Sequence, residues 1–250
     1  MSEILSTRCA GVLTVGFNRE ARKNAITIPM YRALTDILQE AASDDDIRVV
    51  VLRGSETMFT AGNDLDDFIS DPPLDPQAPV WRFLHALSAF PKPLVAAVCG
   101  VAVGIGTTLL LHCDLVYAAS DARFSLPFIN LGLCPEAACS LLLPRSLGYQ
   151  GAAEVLLTGD PFDARFALSA GLVNRILPAP EVLPWALAQA RKIAQKPALA
   201  VTETKRLLKR GGLAEVHARI DEEAQAFARL LQSEAAQTAI TAFGQRQRPR

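Results

Sequence analysis

The sequence predicts an α/β protein whose parallel strands are followed by a helical C-terminal region. Short valine-rich runs alternate with runs of helical apolar spacing, glycine-bearing turns follow two predicted strands, and residues 181–243 show helical patterns throughout. Half of the 250 residues are apolar, which is ample for one large core. We assign residues 1–190 to an α/β core and residues 191–250 to a helical oligomerisation region, since one-sided apolar helices often pack on a neighbouring subunit.

The first elements follow the order strand, helix, strand. An alternating pattern predicts a strand over residues 11–17, apolar spacing after Pro29 predicts a helix, and a valine-rich run predicts a strand over residues 48–53. Because the connection is short, the two strands should pair in parallel with a right-handed crossover. The pattern then repeats as helix, strand, helix, strand over residues 81–90, 94–99, 107–112 and 114–119.

The composition argues against several classes of function. A net charge of -1 gives no general attraction to nucleic acids or anionic membranes. The five cysteines form no CxxC pair and the three histidines are scattered, so we expect no metal and no redox cofactor. An odd cysteine count and an N-terminus unlike a signal peptide favour a reducing, cytoplasmic location. Residues 94–111 are uncharged, but their glycines favour a buried strand, turn and helix over a membrane span.

Two glycine-bearing turns, residues 59–65 and 100–106, follow predicted strands. In a parallel sheet, strand ends and the following helix N-termini line the usual ligand crevice, where free N–H groups can donate to an anion. Two such turns could direct two N–H groups at one oxygen and form an oxyanion hole. Alternatively, the glycines only permit tight turns and close packing. The second turn lacks the spacing of a dinucleotide-binding fingerprint.

The two turns, in this order, resemble those of the crotonase (enoyl-CoA hydratase/isomerase) superfamily. Further matching segments cover roughly residues 10 to 180: Arg22-Lys23-Asn24-Ala25-Ile26, Lys92-Pro93-Leu94-Val95-Ala96-Ala97-Val98-Cys99-Gly100, Cys113-Asp114-Leu115, Leu157-Thr158-Gly159-Asp160 and Ala170-Gly171-Leu172-Val173-Asn174. The resemblance implies a core of repeated ββα units wound in a spiral. It also implies that the helical end supports homotrimers or hexamers.

The resemblance implies an acyl-CoA thioester substrate, whose coenzyme A is part of the substrate and not a cofactor. The N–H groups of Asn63 and Ile105 would hold the thioester oxygen, although the family often has glycine at the second position, so Ile105 can crowd the pocket. The residues implied in CoA binding are Arg22, Lys23, Ala25, Ala61, Gly62, Asn63, Asp64 and Leu65. Arg22 and Lys23 could equally be a solvated pair in a loop. Lys205 and Lys209 fit a solvated helix face better than a phosphate site.

The resemblance also bears on the reaction. Hydratases of the family use two glutamates, and the matching positions here are Thr108 and Phe128. The remaining acid is Glu136, which after Pro135 could simply begin a helix. The resemblance to the peroxisomal-type Δ3-Δ2-enoyl-CoA isomerase branch instead makes Glu136 the catalytic base. Apolar neighbours would raise its pKa and a helix N-terminus would lower it, so the balance stays open.

Other activities remain open at this point. A hydratase or hydrolase with different catalytic groups is one alternative. A dehalogenase that uses a carboxylate nucleophile near Glu136 is another. From a different class, the chain could be a non-catalytic acyl-CoA-binding or RNA-binding relative, although the near-neutral charge argues against RNA and the retained Glu136 argues against an inactive site.

Overall fold

The computed structural model describes residues 2–247, with side chains up to residue 242. Met1, the first residue of the predicted range 1–190, lies outside the described residues. So do residues 248–250, the last residues of the predicted range 191–250. Two sheets and a helical C-terminal region form the molecule, so the predicted α/β class is confirmed.

Six strands form the larger sheet, in the spatial order β1-β2-β3-β5-β7-β10. Their bounds are β1 Ile4–Cys9, β2 Val12–Phe17, β3 Val49–Arg53, β5 Leu94–Val98, β7 Leu115–Ala119 and β10 Arg175–Leu177. All neighbours pair in parallel except β1 with β2. Strands β3 and β5 are buried almost along their whole length, which explains why they appear in the sequence as continuous apolar runs.

Four short strands form a smaller sheet in the spatial order β4-β6-β8-β9. Their bounds are β4 Met58–Thr60, β6 Val101–Val103, β8 Arg123–Ser125 and β9 Phe162–Asp163. The chain adds β3, β5 and β7 to the larger sheet and β4, β6 and β8 to the smaller one in alternation. This alternation is the repeated ββα spiral that the family resemblance implied.

Ten helices lie within the described residues. Their bounds are α1 Ile28–Ser43, α2 Leu65–Ser70, α3 Pro79–Ala89, α4 Ile105–Thr108, α5 Cys139–Thr158, α6 Ala164–Ser169, α7 Ala179–Ala194, α8 Ala198–Leu208, α9 Leu213–Leu231 and α10 Glu234–Gln247. Helix α1 begins where the sequence predicts, because Thr27 accepts a hydrogen bond from the N–H of Met30 and Pro29 occupies the first turn.

Three predictions of local structure need correction. The segment 100–106 is not one turn, because β6 occupies residues 101–103 between the glycines. The predicted helix over residues 107–112 is a short α-turn from Ile105 that continues as a 3₁₀ turn to His112. The third is the expectation that the chain is mainly helical after Pro135, because the short strands β9 and β10 lie in that part. Strands of two or three residues are too short to show a period of two.

Lys205 is not on a solvated helix face, so the prediction from the sequence for this residue is wrong. Its side chain is 6% exposed, and Nζ lies 2.7 Å from a carboxylate oxygen of Asp114 and 2.7 Å from the carbonyl oxygen of Lys92. Lys209 is also half-buried, with Nζ 3.4 Å from the carbonyl oxygen of Ser88. These contacts tie α8 to the ends of β5 and β7, so the helical region packs on the core of its own chain.

Replacing Lys205 with alanine should lower the free energy of unfolding by about 2 kcal/mol, because it removes the charged hydrogen bonds of a buried ammonium group to Asp114 and to the carbonyl of Lys92. Urea denaturation at neutral pH measures the change. Lys192→Ala, which removes an exposed lysine from α7, is the matched control and should change stability by less than about 0.5 kcal/mol. Equal effects of the two substitutions would show that the buried ion pair contributes nothing specific.

Candidate active site

The two glycine-bearing turns lie against each other, because β4 and β6 are parallel neighbours. Gly62 has φ of +90°, and a Cβ there would lie 2.7 Å from the carbonyl oxygen of Val103. A Cβ on Gly106 would lie 2.5 Å from the methyl carbon of Thr60. The glycines are therefore needed for the close approach of the two turns, and this approach places both turns at one edge of the smaller sheet.

Asn63 and Ile105 each have a backbone N–H without a partner among the described residues. Ile26 donates to the carbonyl of Gly62 at 2.8 Å and accepts from the N–H of Asp64 at 2.9 Å. Because neighbouring residues of an extended segment direct their N–H groups to opposite sides, the N–H of Asn63 points away from Ile26. Ile105 is the first residue of α4, and a helix leaves its first N–H groups without internal partners. Two free donors therefore follow the ends of two neighbouring strands.

Glu136 is completely buried, and neither of its carboxyl oxygens has a hydrogen-bond partner among the described residues. Helix α5 begins only at Cys139, after Ala137 and Ala138 have adopted left-handed backbone conformations with φ of 64° and 54°. The alternative that Pro135 and Glu136 form an ordinary helix start is therefore wrong. A buried acid without partners is costly to the fold and is typical of a functional group.

Burial raises the pKa of Glu136 to about 8, and the negative charge of Glu223 on α9 adds to this effect. The structure thus answers the question that the sequence left open, because burial outweighs any effect of the helix N-terminus. A carboxyl with a pKa near the working pH can accept a proton and return it.

Tyr31 on α1 connects Glu136 with the first turn. Its buried hydroxyl donates a hydrogen bond to the side-chain oxygen of Asn63. Burial raises the pKa of Tyr31 well above its ordinary value, and the charge of Glu136 raises it further, which requires the carboxyl to lie near the phenol. The structure therefore brings Glu136 and the turn of Asn63 to the same part of the molecule.

The segments implied in CoA binding lie side by side. The N–H of Ala61 donates to the carbonyl of Lys23 at 2.9 Å, and Ile26 bridges to Asn63. Together these contacts gather all the predicted binding residues at one edge of β4: Arg22, Lys23, Ala25, Ala61, Gly62, Asn63, Asp64 and Leu65. The side chains of Arg22 and Lys23 are exposed, so both can reach a ligand in solution.

Two of these side chains already have partners. Arg22 contacts a carboxylate oxygen of Asp66 at 2.5 Å. Asp64 is 3% exposed, accepts a hydrogen bond from the N–H of Asp66 as the cap of α2, and pairs with Arg19 at 2.6 Å. The carboxylate of Asp64 therefore stabilises the turn, and its N–H and carbonyl are also engaged, with the carbonyl of Ile26 at 2.9 Å and the N–H of Phe68 at 3.2 Å.

The two positions where hydratases of the family carry glutamates hold no acid, as the sequence indicates. Thr108 and Phe128 are both buried, and the hydroxyl of Thr108 has no hydrogen-bond partner among the described residues. Across residues 2–247, no group of three or more His, Cys, Asp or Glu side chains could hold a metal ion. Within the same range, none of the helices has the length and apolar character needed to cross a bilayer.

An open pocket of about 250 Å³ lies beside Tyr31, between α1, α2 and the loop that leads to α3. Its walls are mainly apolar and include Ile26, Tyr31 and Phe68, while Asp67, Asp71 and Asp75 add acidic groups. Phe68 packs edge-on against Phe227 of α9, with ring centroids 5.9 Å apart. Because Tyr31 contacts both the pocket and Asn63, an apolar chain in the pocket would extend from the site of the free donors.

Tyr31 and Glu223 are site residues that the sequence analysis missed. Tyr31 looks like one more member of the apolar stripe of α1. Glu223 did leave a signal, because it falls on the buried face of α9 between Ile220 and Phe227, where an unpaired acid is unusual. Neither pattern shows which residues these side chains contact.

A buried carboxyl without partners, in the same part of the molecule as two free backbone donors, is the arrangement that an enzyme needs to move a proton next to a stabilised oxyanion. A family profile described as "Enoyl-CoA hydratase/isomerase" matches residues 7–250. The chain belongs to this family, which is part of the crotonase superfamily, and the resemblance found in the sequence is confirmed.

Individual relatives differ in activity. The chain is 36% identical to the 2,3-dehydroadipyl-CoA hydratase of Escherichia coli (strain K12), over 100% of this chain and 98% of that protein. It is also 36% identical to enoyl-CoA delta isomerase 2 of Rattus norvegicus, over 96% of this chain but only 63% of that protein, so it spans less than two thirds of this relative. The solved structure of Pseudomonas aeruginosa OdaA has a TM-score of 0.95 and 45% identity, over 97% of this chain and 99% of that one.

Proposed function

We propose that this protein is a Δ3-Δ2-enoyl-CoA isomerase with Glu136 as its single acid–base group. Glu136 takes a proton from C2 of a 3-enoyl thioester, and the electron pair moves through the carbonyl onto the thioester oxygen. The N–H groups of Asn63 and Ile105 hold that oxygen. The same carboxyl then returns the proton at C4, which leaves the double bond between C2 and C3.

The observation that carries the proposal is the state of Glu136: fully buried, without a hydrogen-bond partner among the described residues, and with a pKa of about 8. One carboxyl can serve both proton transfers because the proton leaves and returns on the same acyl chain. Burial also protects the proton on Glu136 from exchange with water between the two steps.

Hydration of a 2-enoyl thioester is the second candidate, because the E. coli relative that matches the whole chain is named a hydratase. Against it stand Thr108 and Phe128, which put a hydroxyl and a phenyl ring where two carboxylates would handle water. A hydratase mechanism would have to use Glu136 alone for water activation. We therefore rank isomerisation first.

A comparison of two substrates tests the proposal. The protein is given a 3-enoyl-CoA and the corresponding trans-2-enoyl-CoA separately, and the products are followed by chromatography. Isomerisation of the first should exceed hydration of the second by at least roughly 10²-fold in kcat/KM, because the acid and base for water are missing. Faster hydration than isomerisation would overturn the proposal in favour of the second candidate.

The binding residues and assembly are part of the same proposal. Arg22, Lys23 and the main chain around Ala25 and Ala61–Leu65 would hold the CoA portion, while the acyl chain would occupy the pocket beside Tyr31. Leu199, Leu207 and Leu208 are exposed apolar residues on α8, and they support burial of this face in a homotrimer or hexamer.

A further inference from the structure

Glu223 places a second carboxyl group beside the candidate base. It lies on α9, is 5% exposed and belongs to the face that packs on the core. Burying a carboxylate costs free energy unless hydrogen bonds compensate for the lost water. Glu223 therefore needs an explanation that its helix alone does not give.

The partners of Glu223 are the residues that follow Glu136. Its carboxylate oxygens accept hydrogen bonds from the N–H of Ala138 at 2.6 Å, from the N–H of Ser140 at 2.9 Å and from the hydroxyl of Ser140 at 2.6 Å. Ala138 is in the left-handed conformation, which alanine adopts only at a cost. The carboxylate thus holds the strained segment between Glu136 and α5.

A purely structural anchor would not need to be charged. Serine, threonine or asparagine caps a helix N-terminus without the cost of burying an ion. The charge does have a second effect here, because Glu223 lies close enough to raise the pKa of Glu136. Its contacts and its position thus affect both the location and the basicity of Glu136.

We propose that Glu223 is the positioning residue of this site: through its hydrogen bonds to Ala138 and Ser140, its carboxylate holds the Glu136 segment in place and sets a negative charge beside Glu136. This inference rests on the proposed function and deepens it. Glu223 itself contacts neither of the free backbone donors, so it acts through Glu136.

The other groups that face Glu136 do not oppose this effect. They are Tyr31 from α1 and the thiols of Cys134 and Cys139 from the same segment, and burial raises the pKa of all three. All three are therefore neutral near pH 7. With Glu223 as the remaining charged neighbour, the field at Glu136 is negative.

Two nearby basic groups contact the segment after Glu136 and not Glu136 itself. His112 is neutral, since burial lowers its pKa to about 4, and its Nε2–H donates to the carbonyl of Ala137 at 2.8 Å. Arg219 donates to the hydroxyl of Ser140 at 3.1 Å. Its positive charge therefore favours the ionised form of Glu223.

Of the two carboxyls, Glu223 ionises first as pH rises, because Ala138 and Ser140 donate hydrogen bonds to it and no described residue donates to Glu136. Burial raises the pKa of Glu223 to about 7, although the donors of Ser140 and Ala138 act to lower it. Glu136 has no donor in the described residues and a pKa of about 8. The difference in hydrogen bonding therefore sets the order in which the pair ionises.

Glu223→Gln tests the charge directly, with the infrared band of the protonated Glu136 carboxyl as readout in the ligand-free protein. Glu136→Gln identifies that band. The midpoint of its loss with rising pH should move down by about one unit when Glu223 is neutral. Turnover of 3-enoyl-CoA should also fall at least about tenfold, because the glutamine amide would face the N–H groups of the segment. An unchanged midpoint would overturn the proposal.

Two further variants keep the test decisive if Glu223→Gln does not fold. Glu223→Asp retains the charge, so the midpoint should stay near that of the parent while turnover falls. Ser140→Ala removes one donor from Glu223 and should move the midpoint down by a smaller amount. Glu215→Gln removes an exposed carboxylate from the same helix and should change neither quantity. If Glu223→Gln shifts the midpoint but the parent protein isomerises no 3-enoyl-CoA, the role of Glu223 stands and the proposed function is rejected.

Discussion

Glu136→Gln should abolish double-bond migration while leaving the protein folded and able to bind CoA thioesters. The amide has nearly the same shape as the carboxyl, but it cannot take a proton from C2. Loss of general acid–base catalysis should lower kcat by roughly 10³–10⁴-fold with a much smaller change in the dissociation constant. Stopped-flow assays with 3-enoyl-CoA measure the first quantity, and calorimetric titration with a saturated acyl-CoA measures the second.

The same substitution should stabilise the protein. Glu136 has a pKa of about 8 when folded and an ordinary value of 4.5. The unfolded chain therefore ionises first as pH rises, and stability is lost between pH 4.5 and about 8. A neutral amide removes this loss, so the free energy of unfolding at pH 7 should rise by up to about 3 kcal/mol. Below pH 4 the variant and the parent should have similar stability.

Glu181→Gln, an exposed change on α7, is the control and should alter neither turnover nor stability. Comparable isomerase activity in Glu136→Gln and Glu181→Gln would remove Glu136 from the mechanism. A less stable Glu136→Gln protein at pH 7 would contradict the assignment of a buried, mostly protonated carboxyl. The two readouts thus test the chemistry and the electrostatics separately.

The buried strands were predictable because their pattern is strong. Strands β3, β5 and β7 each run through the core, so the sequence shows them as continuous apolar segments of four or five residues. The smaller sheet was not predictable in the same way. Its strands have two or three residues, and β6 lies inside a segment whose glycines dominate the local signal.

Asn63, Ile105 and Glu136 were predicted as site residues from the family resemblance of the motifs that contain them, because the residues alone left tight turns and an ordinary helix start as alternatives. Tyr31 and Glu223 were not, since each acts through a contact between elements far apart in the chain. Glu223 reaches Ala138 across 85 residues, and Tyr31 reaches Asn63 across 32. Local periodicity places a residue on a buried face, but it does not identify the group on the other side.

Ile105→Pro should lower kcat by about 10²–10³-fold, because it removes one of the two backbone donors from the thioester oxygen. Ile105 is the first residue of α4, the position where proline is best tolerated in a helix. Gly104 before it has φ of 55° and ψ of -118°, a conformation that glycine adopts easily, and the absence of a Cβ leaves room for the ring of a following proline. The substitution therefore removes the N–H with little change to the turn.

Ile105→Ala separates the donor from the side chain. Alanine keeps the N–H and removes more of the buried side chain than proline does, so it should destabilise the protein by about 2–4 kcal/mol yet retain most of the turnover. Thermal unfolding and kcat for 3-enoyl-CoA are measured for both variants. If the alanine variant loses as much turnover as the proline variant, the side chain of Ile105 and not its N–H supports catalysis. The oxyanion hole would then have to be sought elsewhere, because the amide of Asn63 alone supplies only one of the two donors.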